Sequence, residues 1–475
     1  MTQEKLTPDP KEQEEIMELK DGVIVVMSLM IGSGIFSNSN EIHKTVGSPA
    51  LALGIWVLTG LLSLTGSLCY AELGTMFPGS GGEATYLKKG VGAWAASLFD
   101  WSSIVIMKPG SLAVLCIPFA THLMRAYEIV AEKDIIGNKV KIEVAIAVGL
   151  IWLLTLLSIL SPKKCDRVVG ILTYTKLVAL ALIILVGFGY FFSKPLIFAN
   201  NFKGAVSTKL QGFDLFVFTS ALSNGLWAFD GWNNLNLVAG KLKNPKRNLP
   251  LAIWISVSAV LGLYFMAMLG YYAVIEDRQF NETETLAVTF GQIVMGKAGG
   301  LFMALAVCLS VFASALSGMS TSFELIELSA KARFLPTMFG VTNKVTGTAV
   351  NAYLSQGILA TLFLAVPKAL GDVNVFEKLV VIYTLPTWLF YGWCVLVLVY
   401  LRYSRPNMER PYRVMLTTPA LFLLACAWLI GATFYIYRES YCLVPIVAFG
   451  IVLLGLPIYN IRKAKMLKAH SVQYE

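Results

Sequence analysis

Charge is scarce in this sequence. Asp, Glu, Lys and Arg make up only 14% of its 475 residues, against 56% hydrophobic residues and a mean hydropathy of +0.67. A soluble domain carries about 25% charged residues. Many windows exceed the ~18 apolar residues that mark a bilayer-crossing helix. These features exclude a soluble globular protein and predict an all-α membrane protein that crosses the bilayer many times.

Histidine is equally rare: His43, His122 and His470 are the only three, far apart in the chain. The seven cysteines, at positions 69, 116, 165, 308, 394, 426 and 442, lie mostly in or beside apolar runs and form no CxxC or Cys/His spacing. Neither a zinc site nor a disulfide framework is indicated. No nucleophile and base stand at an interpretable spacing, and no phosphate-binding glycine loop is visible. An enzyme is therefore not expected, nor a metal or cofactor. The net charge of +9 would suit nucleic acid in a soluble protein, but in a membrane protein Lys and Arg crowd the cytoplasmic loops. No nucleic-acid partner is expected. The polar start, with Lys11-Glu12-Gln13-Glu14-Glu15, reads as a cytosolic tail rather than a cleavable leader.

The first apolar stretch contains an interruption, Met30-Ile31-Gly32-Ser33-Gly34-Ile35-Phe36. Each glycine weakens a helix by roughly 1 kcal/mol relative to Ala. A helix opened there frees backbone groups at membrane depth, where they persist only beside a cavity or a ligand. A second half restarting near Gly34 offers N–H groups and a positive dipole end to a carboxylate. The carbonyls left by the first half suit an ammonium, so one break can hold both ends of a zwitterion. The plainer reading of Gly32 and Gly34 is close helix packing.

A comparable break, Trp227-Ala228-Phe229-Asp230-Gly231-Trp232-Asn233-Asn234, interrupts the sixth apolar stretch. Interrupted spans at positions one and six of twelve occupy corresponding places in two five-span halves, which is the signature of an inverted-repeat transporter with a midplane site. The expected organisation is a tail over 1–20, a first repeat over 21–193, a second over 214–401, two further spans over 414–461, and a tail over 462–475. Lys and Arg concentrate in loops on the side of the termini, so both termini are expected in the cytoplasm. The segment from Glu276 to Lys297 is expected to be a polar outer loop, carrying the sequon Asn281-Glu282-Thr283.

These residues resemble the L-type amino acid transporter family of the amino acid–polyamine–organocation superfamily. The resemblance rests on Ile31-Gly32-Ser33-Gly34-Ile35-Phe36, on Tyr70-Ala71-Glu72-Leu73-Gly74 with Pro78-Gly79-Ser80-Gly81-Gly82-Glu83, and on Lys108-Pro109. It continues through Thr175-Lys176-Leu177, Gly231-Trp232-Asn233, and Asn244-Pro245 to Leu249-Pro250. Within the family, the stretch from Trp227 to Asn233 is most like the light chains that exchange cystine and dibasic amino acids. The resemblance implies a LeuT-type 5+5 inverted repeat with broken helices one and six, plus two C-terminal helices. It implies a sodium-independent exchanger of cationic and neutral L-amino acids in the plasma membrane. It places the substrate carboxylate on the backbone around Ser33 and Gly34, and the amino group on carbonyls near Met30, Trp227 and Asp230. The candidate substrate-binding residues are Met30, Ile31, Ser33, Gly34, Ile35, Trp227, Asp230 and Asn233, with Trp227 also as an aromatic lid. Three departures stand out. Residues 123–142 lack the cysteine that bonds a heavy chain in animal relatives, so no disulfide-linked partner is expected. Ala239-Gly240-Lys241 replaces an acidic pair, and the pattern around Ala332-Arg333-Phe334-Leu335-Pro336 is shortened.

Ionisable residues inside spans are functional hypotheses by default. By the resemblance, Lys176 faces the place where sodium-coupled relatives hold a cation, and its ammonium would replace sodium. Asp230 either pairs with a cationic substrate or caps freed N–H groups; Asn233 either bonds substrate or stabilises the break. Lys108 beside Pro109 either lines the cavity or donates to a carbonyl freed by the proline kink, and the structural role is preferred. A proton-coupled neutral amino acid permease and a non-transporting sensor are the alternatives, but the tails are too short for a folded signalling domain of at least ~50 residues.

Overall fold

The computed structural model describes residues 17–32, 34–37, 39–79, 81–133, 137–203, 215–331, 334–343, 348–369, 375–436, 438 and 443–472. Among these residues the regular structure is helical, and the only strand-like pairing is an isolated bridge between Met17 and Leu242. In lipid a helix satisfies every backbone group within its own segment. Nine helices among the described residues are long and apolar enough to cross a membrane. In chain order, with the two broken spans as first and sixth, they are the second to fifth spans Pro49–Met76, Ala93–Ala131, Lys139–Leu160 and Pro162–Ser193, the seventh and eighth Pro245–Val274 and Leu286–Lys331, and the tenth to twelfth Leu379–Ser404, Thr417–Ile436 and Leu443–Ala464. The expected ninth span is the shorter apolar helix Val350–Ala369, and the first and sixth spans are the two that break.

Several helix starts follow directly from local chemistry. Pro49, Pro162 and Pro245 occupy first-turn positions where no N–H partner is needed. Ser48 caps the first of these by accepting from Leu51 N–H at 3.4 Å. Close helix approach follows from glycine. A Cβ at Gly187 would lie 2.2 Å from Gly270 Cα, so the helices Pro162–Ser193 and Pro245–Val274 meet backbone to backbone. Large apolar side chains such as Leu156, Ile171, Leu185, Phe192 and Trp254 remain exposed, as the lipid-facing surface of a membrane bundle requires.

Two elements depart from expectation. The segment Glu276 to Lys297 is largely helical rather than a loop. Asp277–Glu282 is a short helix started by a Glu276/Gln279 capping box. Leu286–Lys331 is two helices joined at Met295 and Gly296, where Gly296 takes φ +63°. Leu286, Ala287, Val288 and Phe290 are buried, and this apolar face holds the first of those helices against the bundle. Around Pro109, the chain inserts one π-turn, Ser103–Met107, between the helices Ala93–Ser102 and Lys108–Ala131. The Lys108 N–H reaches back to the Ser103 carbonyl, so the wider turn accommodates the proline.

A buried ion pair fixes the far end of the tenth span. Arg402 donates to both oxygens of Glu72, through Nε at 3.0 Å to Oε1, and Val414 N–H donates to Glu72 Oε2 at 2.8 Å. The carboxylate is thereby satisfied, and the connector between the tenth and eleventh spans is tied to the second.

Candidate substrate site

The first span is helical over Leu19–Met30 and resumes as Gly34–Ser37 and Ser39–Val46. Ser33 lies outside the described residues. The sixth span is helical over Leu215–Ala228, turns irregularly through residues 229–233, and continues as a 3-10 helix over Asn234–Lys241. Both breaks stand where the glycine patterns place them.

Side chains from neighbouring helices meet the carbonyls at these breaks. Tyr264 OH donates to Met30 O at 2.8 Å and to Ala228 O at 3.3 Å, so one hydroxyl serves both broken spans. Ser310 Oγ donates to Gly32 O at 3.2 Å, and Gly32 N–H donates to Met30 O at 2.8 Å. This is how non-helical backbone is sustained at membrane depth.

Glycine also lets the breaks touch. A Cβ at Gly34 would lie 2.5 Å from Ala228 Cα. Gly231 adopts φ +108°, open only to glycine at low cost, and a Cβ there would lie 3.1 Å from Leu29 Cβ. The packing reading of Gly34 is thus correct in its geometry and compatible with a site, because the same approach brings both breaks to one cavity. That cavity, of about 130 Å³, is lined by residues of both, including Met30, Gly34, Trp227, Asp230 and Asn233.

The chain matches the amino acid permease family over residues 18–455. It is 32% identical to the b(0,+)-type amino acid transporter 1 of Mus musculus, over 87% of this chain and 81% of the relative. It is 30% identical to the human large neutral amino acids transporter small subunit 2, over 92% and 78%. It is also 30% identical to the human cystine/glutamate transporter, over 95% and 87%. The chain belongs to the amino acid permease family. The permease is accordingly a multi-pass membrane protein and not an enzyme.

Not every sequence-derived candidate faces the cavity of this permease. Ile31 and Ile35 are fully buried in the hydrophobic core, and neither lines the cavity. Only their backbone is placed to take part, since an apolar side chain at the break gains more from packing. Met30 lines the cavity, although its carbonyl already accepts two hydrogen bonds. Trp227 is half-buried at the cavity wall beside Tyr383. Asp230 is also half-buried and accepts from Tyr391 OH at 3.1 Å. Lys176 does not line the cavity; it lies behind the first break, 1% exposed, with Nζ donating to Ser28 O at 2.9 Å and Ser314 Oγ at 2.7 Å. One ammonium therefore ties the fifth span to the first and the eighth.

Of the two readings of Lys108, the structure matches the cavity position and not the preferred structural role. The π-turn accommodates Pro109, while the Lys108 ammonium lines the cavity and donates to Asn234 Oδ1 at 3.1 Å and Thr321 Oγ1 at 3.3 Å. Asn234 Nδ2 in turn donates to Asn233 Oδ1 at 3.3 Å, and Asn233 Nδ2 donates to Glu83 Oε1 at 2.6 Å. An ammonium only donates and a carboxylate only accepts, so the two ends fix the direction of this relay. Asn233 is engaged in holding the break while also lining the cavity. Tyr264, Ser310 and Ser314 escaped sequence reasoning, and Glu83 and Asn234 entered it only as members of motifs, without a role. Ser310 and Ser314 left a trace, two small polar residues four apart on one face of an apolar span; Tyr264 left none.

Proposed function

We propose that this permease is a sodium-independent exchanger of cationic and neutral L-amino acids, working by alternating access in a twelve-span LeuT-type 5+5 fold. The observation that carries the reading is the meeting of two broken spans at one cavity. Among the described residues, nine long apolar helices, one shorter apolar helix and two broken spans fit the twelve-span arrangement. The two repeats are assigned to 21–193 and 214–401, followed by two spans over 414–461, with tails over 1–20 and 462–475.

In this reading, backbone around Ser33, Gly34 and Ile35 receives the substrate carboxylate. Carbonyls near Met30, Ile31, Trp227 and Asp230 receive the amino group, Trp227 closes over it, and Asn233 contributes from the second break. Lys176 takes the place of a coupling cation, which its contacts with the first and eighth spans support. The preference for cationic side chains rests on charge. Glu83, Lys108 and Asp230 are the acidic and basic residues lining the cavity among those described, formally one positive and two negative charges. A ligand of net charge +1 neutralises that sum, and in a cavity of low dielectric such compensation is worth several times its value in water. The plasma membrane is the proposed location, as the family resemblance implies, and both termini are assigned to the cytoplasm because basic residues gather at 163–167, 241–247 and 402–413 on the side of the termini. No disulfide-linked partner is proposed, since residues 123–142 contain no cysteine and the six described cysteines are buried.

Counterflow of radiolabelled arginine and leucine in proteoliposomes tests the reading. Uptake is expected to require internal amino acid and to be unchanged when choline replaces sodium. Uptake that needs sodium, or that ignores internal amino acid, contradicts it.

A further inference from the structure

Glu83 is an acid at the cavity wall that the proposed substrate contacts leave unused. Its position is set by local backbone chemistry. Gly81 and Gly82 adopt φ +123° and +47°, and a Cβ on Gly81 would lie 2.6 Å from Thr85 Oγ1. Gly81 N–H donates to Leu237 O at 3.1 Å, docking this turn on the segment that follows the second break. The helix Gly82–Gly90 starts there, and Glu83 in its first turn reaches the cavity while only 1% exposed.

The two carboxylate oxygens differ. Oε1 accepts from Asn233 and terminates the relay that begins at Lys108. Oε2 is buried and accepts from no group among the described residues. Burying a carboxylate oxygen without a donor is costly, and a cationic group in the adjoining cavity removes that cost. The Lys108 ammonium places two of its three N–H donors on Asn234 and Thr321, and no hydrogen bond joins it to Glu83 Oε2. Asp230, the other cavity carboxylate, already accepts from Tyr391 OH.

We propose that Glu83 is a specificity-determining residue, the carboxylate whose open oxygen receives the side-chain ammonium or guanidinium of a dibasic amino acid. This deepens the proposed function and rests on the cavity being the substrate site. Glu83 then receives the distal cation directly, while Asp230, which accepts from Tyr391, adds to the negative charge of the cavity that favours a ligand of net charge +1. Glu83→Gln is the informative change, because its amide oxygen still accepts from Asn233 while the second position becomes a donor that repels a cation.

In proteoliposomes the full-length Glu83→Gln protein is expected to raise the KM for arginine and lysine at least ~10-fold, with the leucine KM within about two-fold of wild type. Arginine, but not leucine, should lose its ability to raise the melting temperature of the purified variant. Glu83→Asp, which keeps the charge but withdraws it by one methylene, should raise the arginine KM by less than Glu83→Gln does and leave the leucine KM within about two-fold of wild type. For Glu83→Gln, equal losses for arginine and leucine, or no change for either, overturn the proposal. If Glu83→Gln does not fold, Glu83→Asp decides: a rise in the arginine KM alone supports the subsite, and equal loss of both substrates, or no change for either, overturns it. Wild-type protein that carries leucine but neither arginine nor lysine overturns both the subsite and the dibasic reading. Wild type carrying all three, with Glu83→Gln affecting them equally, overturns the subsite alone.

Discussion

Asp230 and Lys176 carry opposite charges beside the two breaks, and their surroundings set different outcomes for their removal. Asp230 is half-buried at the cavity with one oxygen on Tyr391, so its charge remains open to a ligand. Asp230→Asn is expected to weaken arginine transport by at least ~10-fold, about 1.4 kcal/mol, with a smaller effect on leucine. Radiolabelled uptake of both substrates checks this, and parallel losses would instead make Asp230 a cap of the break. Lys176 makes its two described hydrogen bonds to Ser28 O and to Ser314 Oγ, the latter on a residue of the cavity wall, while Lys176 itself does not line the cavity. Lys176→Ala is expected to reduce turnover for all substrates more than it reduces the amount of folded protein. Uptake normalised to protein eluting as a single species in detergent measures both quantities.

At the scale of elements, the breaks work as a pair. Gly34 presses on Ala228 and Gly231 on Leu29, while Tyr264 donates to a carbonyl of each broken span. A methyl group on Gly34 meets backbone and not the end of a flexible side chain, so the half-helices must separate. Gly34→Ala is expected to cost about 1–3 kcal/mol of stability, as overpacking does, and to abolish uptake. A thermal melt with parallel transport reads both, and a variant indistinguishable from wild type would show that the contact relaxes freely. The seventh and eighth spans act here as scaffolds, supplying Tyr264 and Ser310 to backbone that the broken spans cannot satisfy alone, while Ser314 accepts from Lys176.

For the whole molecule, the disposition of cysteines bears on assembly. Cys69, Cys116, Cys165, Cys308, Cys394 and Cys426 are free and buried, whereas Cys442 lies outside the described residues. The native protein is expected to migrate identically on reducing and non-reducing gels, and a reducible higher band from native membranes would contradict this. Composition and apolar run length alone determined that the chain is a many-span helical membrane protein, because a helix is the way a single apolar run satisfies its backbone in lipid. The glycines at 32, 34 and 231 likewise marked where helices open, since backbone freedom is a local property of a residue. Which side chains meet at those openings was decided only by tertiary structure. Glu83 meets Asn233 across 150 positions, and Tyr264 meets Met30 across 234. Such contacts depend on how separate helices rotate and pack, and no local pattern in the chain records that rotation. The same holds for Lys108: sequence showed a lysine before a proline, but the π-turn that absorbs the proline and the partners that draw the ammonium into the cavity exist only in the folded bundle.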